Sequence, residues 1–211
     1  MIKPDSIIFD MDGTLWDGLQ VYVESWNRGL KESNLNKIVS RDEIVSMVGW
    51  ERKAVFDKLL PEYDAAQQES IYDEVCKFPP VLIKELGGHL YDGVKEGLKQ
   101  LAKDYKLFIV SNCDEGLIEH FMEWAGIEDS ITDEIAHGIN LMPKHHNIQL
   151  LIEKYDLKKP VYVGDTAGDS DQSKLAGVPF VFVSYGFGKT ENYSLKFDDF
   201  NAFTQYFLSL K

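Results

Sequence analysis

Four short apolar runs, at residues 6–9, 107–110, 161–163 and 179–183, alternate with helical periodicities at 93–104, 115–125, 147–155 and 169–176. Runs of this length, rich in β-branched and aromatic residues, suit strands buried on both faces of a sheet. Strands that alternate with helices pair in parallel, because a crossover helix carries the chain from the end of one strand to the start of the next. A weaker run at 134–136 and an amphipathic stretch at 198–209 extend the pattern. The expected fold is α/β, a Rossmann-like doubly wound parallel sheet.

Residues 17–88 break the alternation, reading as consecutive helices with no strand between them. Ser40-Arg41-Asp42-Glu43 has the form of a capping box, Gly49 of a helix stop, and Pro61 and Pro79-Pro80 punctuate the rest of the segment. Gly18 and Gly87-Gly88 stand where the connections should be. The expected organisation is a core from 1–16 and 89–211, interrupted by an all-helical insertion at 17–88. A chain of 211 residues has room for a core domain and one insertion.

Composition removes several classes of function. With 44% hydrophobic and 27% charged residues and no low-complexity tract or repeat, the chain is neither disordered nor a solenoid. Its 22 basic against 35 acidic residues leave a formal charge of -13, which repels nucleic acid and anionic membranes. No apolar stretch approaches the roughly 20 residues of a membrane span, and the N-terminal run is too short for a signal peptide. Only Cys76 and Cys113 occur, outside any CxxC spacing, which points to a reducing compartment and away from a thiolate zinc site. Cytoplasmic location is the expectation.

In an open parallel sheet the working crevice lies beyond the carboxyl ends of the strands. Asp10, Asp12 and Thr14 come after the first run, Ser111 and Asn112 close the second, and Asp165, Thr166 and Asp169 come after the run at 161–163. Four converging carboxylates repel one another unless a cation neutralises them, and oxygen ligands without His or Cys select magnesium. Magnesium held by carboxylates commonly takes a phosphate oxygen as a further ligand, so a phosphate-bearing substrate fits. The hydroxyls of Thr14 and Ser111 can donate to its oxygens. Asp10 then suits the nucleophile, and Asp12, two residues on, suits a proton donor to the leaving group and acceptor from water.

These residues resemble a known family. Ile8-Phe9-Asp10-Met11-Asp12-Gly13-Thr14-Leu15 looks like the first motif of the haloacid dehalogenase superfamily. Val110-Ser111-Asn112 is similar to the second, Lys144 lies where the third motif's lysine is expected, and Val163-Gly164-Asp165-Thr166 with Asp169 is similar to the fourth. The resemblance runs over nearly the whole chain in the family's order. It implies that Asp10 forms an aspartyl-phosphate, that Asp12 is the acid/base, and that Lys144 holds nucleophile and phosphate by charge. It further implies that Thr14, Ser111 and Asn112 face the phosphate. The implied metal ligands are Asp10, the Asp12 carbonyl and Asp165, with Asp169 bound directly or one layer out, and the insertion corresponds to the family's alpha-helical cap. One departure is that Pro143 precedes Lys144, where the family often places proline after the lysine.

Leu90-Tyr91-Asp92-Gly93-Val94, Ser111-Asn112 and Val183-Ser184-Tyr185-Gly186-Phe187-Gly188 look like the phosphoglycolate phosphatase branch. The expected activity is magnesium-dependent hydrolysis of a small phosphorylated metabolite by a monomer or homodimer. Trp16 and Arg52 are expected against the substrate. Two other readings use similar residues. A sugar-phosphate mutase resembling beta-phosphoglucomutase shares all four motifs and differs in excluding water. A phospho-accepting signalling domain also gathers carboxylates around magnesium, but an insertion directly after its first motif is foreign to it.

Overall fold

The computed structural model describes residues 3–211. The strands are β1 (Ser6–Phe9), β2 (Trp16–Asp17), β3 (His89–Leu90), β4 (Lys106–Ser111), β5 (Asp133–Ala136), β6 (Pro160–Gly164), β7 (Phe180–Val183) and β8 (Leu195–Phe197). Six of them form one sheet in the order β5-β4-β1-β6-β7-β8, while β2 and β3 pair separately. Every pairing in the large sheet is parallel, from Ser6↔Lys106 and Ser6↔Pro160 around β1 to Val181↔Leu195 at the edge. All carboxyl ends therefore emerge on one edge, and β1 sits inside the sheet, not at its border.

The helices that cover this sheet are α6 (Val94–Leu101), α7 (Leu117–Ala125), α8 (Lys144–Tyr155), α9 (Ala167–Ala176) and α10 (Phe200–Ser209). Successive residues of a strand face opposite sides, so both sides of β1 need cover. Ile8 packs with Ile148 and Leu151 of α8, while Phe9 meets Phe200 and Phe203 of α10 at centroid distances of 6.0 and 5.7 Å. Residues 6–9 are consequently buried throughout, which is why they read as a continuous apolar run without alternation.

The chain divides into two compact units, Met1–Asp17 with Leu90–Lys211, and Gly18–His89. The second carries five helices: α1 (Leu19–Glu32), α2 (Arg41–Val45), α3 (Arg52–Leu59), α4 (Ala65–Val75) and α5 (Pro79–Glu85). Its spine is α1, whose Gly29 lies so close to α4 that a Cβ there would stand 2.5 Å from Val75 Cγ2. Trp26 of α1 and Phe56 of α3 both meet the Tyr72 ring, at 5.6 and 4.9 Å. The capping box is formed as expected, Glu43 N donating to Ser40 Oγ and Ser40 N to Glu43 Oε2. Among the described residues no helix is long and apolar enough to cross a membrane.

Candidate active site

At the end of β1 the ladder continues for one more bond, Asp10 N donating to Val163 O at 2.8 Å. The chain then turns sharply, the Met11 carbonyl accepting from Thr14, Leu15 and Trp16, while Gly13 N donates to Trp16 O. Gly13 has φ +82°, and a Cβ at this position would lie 2.3 Å from Asp165 Oδ2. Only glycine meets both the conformation and the space. The turn thus fixes Asp10, Asp12 and Thr14 at the carboxyl edge of the sheet's interior.

Lys144 opens α8 directly after Pro143, a residue that suits the entry to a helix because it has no N–H to leave unpaired. Its side chain is buried, with Nζ 2.9 Å from Asp10 Oδ1 and 2.7 Å from Asp169 Oδ1. Asp169 is held by the first turn of α9. Its amide donates to Thr166 Oγ1 at 3.1 Å, and its Oδ2 accepts from Thr166 N and Oγ1 at 3.1 and 2.6 Å. The hydroxyl of Tyr162, deep in β6, lies 3.2 Å from Asp169 Oδ1 and 3.4 Å from Val110 O. Asp165 Oδ2 accepts from the Phe187 and Gly188 amides at 2.6 and 3.3 Å, whereas Asp165 Oδ1 is buried with no hydrogen-bond partner.

Burial and mutual repulsion dominate the electrostatics. Desolvation raises Asp10 to about 7 although Lys144 opposes it. Burial, reinforced by Asp169 and Asp10, lifts Asp165 well above the usual carboxylate range. Burial also works against the charge on Asp169, yet Lys144 and the Thr166 donors hold that carboxyl below its ordinary value. Desolvation would strip Lys144 of its proton, but Asp10 and Asp169 more than reverse this and keep it charged. One ammonium therefore faces three carboxylates, and oxygens of Asp10, Asp165 and Asp169 lie within 4.8 Å of one another. The unsatisfied Asp165 oxygen and the surplus of buried hard donors fit a divalent cation, which would neutralise what protons otherwise must.

Thr14 is fully buried, its Oγ1 without a hydrogen-bond partner. Ser111 closes β4 in the buried interior beside Cys113, and Asn112 comes next, half-buried. Asp12 is half-buried. Trp16 is fully buried between Phe121 and Trp124, with its indole Nε1 donating to Asp12 Oδ1 at 3.0 Å. Arg52 belongs to the helical unit, where its Nη1 lies 3.6 Å from Glu69 and its guanidinium over the Tyr72 ring. His145 faces Gln172 Oε1, and burial pushes the Cys113 thiol up, away from a reactive thiolate.

Several supporting groups lie outside the residues that sequence reasoning selects. Tyr162 sits within an apolar strand run, though a buried tyrosine hydroxyl needs a partner and signals a polar neighbour. Tyr185 donates to the Thr14 carbonyl at 2.8 Å from the glycine-rich stretch after β7. The Phe187 and Gly188 amides carry no side-chain signature at all.

A family model described as haloacid dehalogenase-like hydrolase matches residues 7–183. A phosphoglycolate phosphatase of Rhodospirillum rubrum is 27% identical over 216 residues, spanning 93% of this chain and 88% of its own. Pyrophosphatase PpaX of Listeria monocytogenes is 25% identical over 182 residues, 82% of this chain and 80% of its own. The solved structure of a haloacid dehalogenase-like family hydrolase from Streptococcus pneumoniae superposes with a TM-score of 0.81 at 18% identity, covering 98% of this chain and 100% of that one.

Proposed function

This chain belongs to the haloacid dehalogenase-like hydrolases, and from that premise we propose that it is a magnesium-dependent phosphatase for a small phosphorylated metabolite, 2-phosphoglycolate being the leading candidate. The observation that carries the proposal is the buried contact of Lys144 Nζ with both Asp10 and Asp169, next to an Asp165 oxygen that has no partner. Relatives named phosphoglycolate phosphatase support the substrate class.

In this reading the Asp10 carboxylate attacks phosphorus, a P–O(aspartyl) bond forms, and the P–O bond to the leaving group breaks with its electron pair passing to the departing oxygen. Asp12 gives that oxygen a proton. It then takes one from the water that cleaves the aspartyl-phosphate, returning Asp10 and releasing phosphate. Lys144 keeps its charge throughout and fixes the Asp10 carboxylate through Oδ1. Thr14 Oγ1 and the Ser111 hydroxyl are the donors available to phosphate oxygens. Asp10, Asp165 and the Asp12 carbonyl would hold magnesium, with Asp169 close by, and the chemistry it supplies is relief of the repulsion between carboxylate and phosphate dianion.

A second reading, hydrolysis of pyrophosphate, is favoured by the relatives named pyrophosphatase PpaX. A panel of phosphorylated metabolites assayed for phosphate release separates the two: the expected result is strongest release from 2-phosphoglycolate, dependent on magnesium and independent of any trace bisphosphate. Preference for pyrophosphate would select the second reading. A requirement for trace bisphosphate would select a mutase, and no release from any member of the panel would overturn the phosphatase proposal.

A further inference from the structure

Asp12 lies at the mouth of a turn whose backbone is closed on itself: Gly13 N donates to Trp16 O, Trp16 N to Met11 O, and Asp12 and Trp16 form an isolated bridge. Across that turn the Trp16 indole Nε1 sits 3.0 Å from Asp12 Oδ1. The indole itself has 0% exposure and is wedged against Phe121 and Trp124, whose centroids lie 4.9 and 5.5 Å away. Both rings come from α7, so the donor is anchored by the core and not by a mobile surface chain. An indole N–H can donate and cannot accept.

We propose that Trp16 is a positioning residue that fixes which oxygen of Asp12 transfers the proton, an inference that rests on the reading of Asp12 as acid and base. Because Oδ1 is bound by a group that only donates, it serves as acceptor, and the proton of the neutral acid sits on Oδ2. When the ester bond breaks, that proton passes from Oδ2 to the departing oxygen as the latter takes the P–O electron pair. Asp12 is left as carboxylate, with Oδ1 still held by the indole. In the second half-reaction Oδ2 takes the proton from water, and the same indole bond keeps the carboxylate turned toward it. A neutral donor does this without adding a charge that would compete with Lys144 for the phosphate.

Two esters of similar shape test the proposal, phenyl phosphate and p-nitrophenyl phosphate, because phenoxide is the poorer leaving group and depends more on proton donation. The quantity to measure is kcat/KM, which reports steps up to leaving-group departure. Trp16→Phe keeps an aromatic ring in the Phe121–Trp124 slot and removes the N–H. It is expected to lower kcat/KM about tenfold or more for phenyl phosphate, a fraction of what a general acid commonly contributes, and only about threefold or less for p-nitrophenyl phosphate. Should Trp16→Phe not fold, the isosteric benzothienylalanine at position 16 gives the same comparison. Asp12→Ala run alongside should show the same selectivity with larger losses. If Asp12→Ala is selective and the Trp16 variant loses equally on both esters, or on neither, the positioning role is overturned while the acid stands. If Asp12→Ala is itself unselective, the reading of Asp12 fails and the proposal with it.

Discussion

Lys144 is charged only because two carboxylates flank it, and the dependence is mutual. Replacing it with methionine leaves Asp10 and Asp169 buried without their cation. Breaking a buried pair in this way costs about 3–5 kcal/mol, so Lys144→Met should unfold at markedly lower urea than the parent at pH 8. The deficit should narrow at pH 5, where Asp10 takes up a proton; an equal deficit at both pH values would show that the loss is one of packing. Asp10→Asn tests the opposite property. The amide keeps the shape and removes the nucleophile, while Asp169 still pairs with Lys144, so phosphate release should fall to background with little loss in thermal stability. Rapid quenching of the parent with labelled substrate should then yield acid-stable label on Asp10, and label on any other residue would refute the assignment.

At the scale of the element, α9 joins stability to the site through one hydroxyl. Thr166→Ala removes the N-cap bond of that helix, worth about 1 kcal/mol, and with it the donation from Thr166 Oγ1 to the Asp169 carboxylate. Catalytic loss larger than the small fall in melting temperature is the expected result; a change in melting temperature alone would reduce Thr166 to a cap. The parallel strands are legible in the sequence because β1, β4, β6 and β7 are buried on both faces and so appear as apolar runs. β8 is not, since Leu195-Lys196-Phe197 is a short edge strand paired on one side only, and its exposed lysine interrupts the pattern. The charged residues of the site are legible as well, because each comes after a strand end or starts a helix. The scaffolding around them escapes: Tyr162 is hidden by its apolar neighbours, and the Phe187 and Gly188 amides belong to the backbone. Trp16 stands out by its place beside the first motif, but no spacing rule reveals that its ring turns inward to Asp12.

For the whole molecule, the buried carboxylates tie stability to pH and metal together. Asp10 titrates at about 7 in the folded state and Asp165 well above the usual range, against about 4 when unfolded. Between those values the native protein holds protons that the unfolded chain has released, so without metal its stability is greatest at low pH in this window and falls as pH rises. Glu134, raised to about 8 by burial and by Glu119, adds to the same trend but lies outside the metal cluster. Melting temperatures in chelator should drop from pH 5 to pH 8, and added magnesium should restore more at pH 8, since binding displaces those protons. A magnesium effect that shrinks with pH would contradict the carboxylate assignment. The sheet order carries a different consequence, for synthesis. β1 leaves the ribosome first, yet its two neighbours are β4, through Ser6↔Lys106, and β6, through Ser6↔Pro160. A nascent chain must carry the sticky run 6–9 unpaired on one side until residues 160–164 emerge, a long wait that favours capture by chaperones and slow, late closure of the sheet. Asp10 is the earliest of the candidate site residues to be made, and its buried partner Lys144 follows 134 residues later, so the cluster cannot close on a chain that is still short of that lysine.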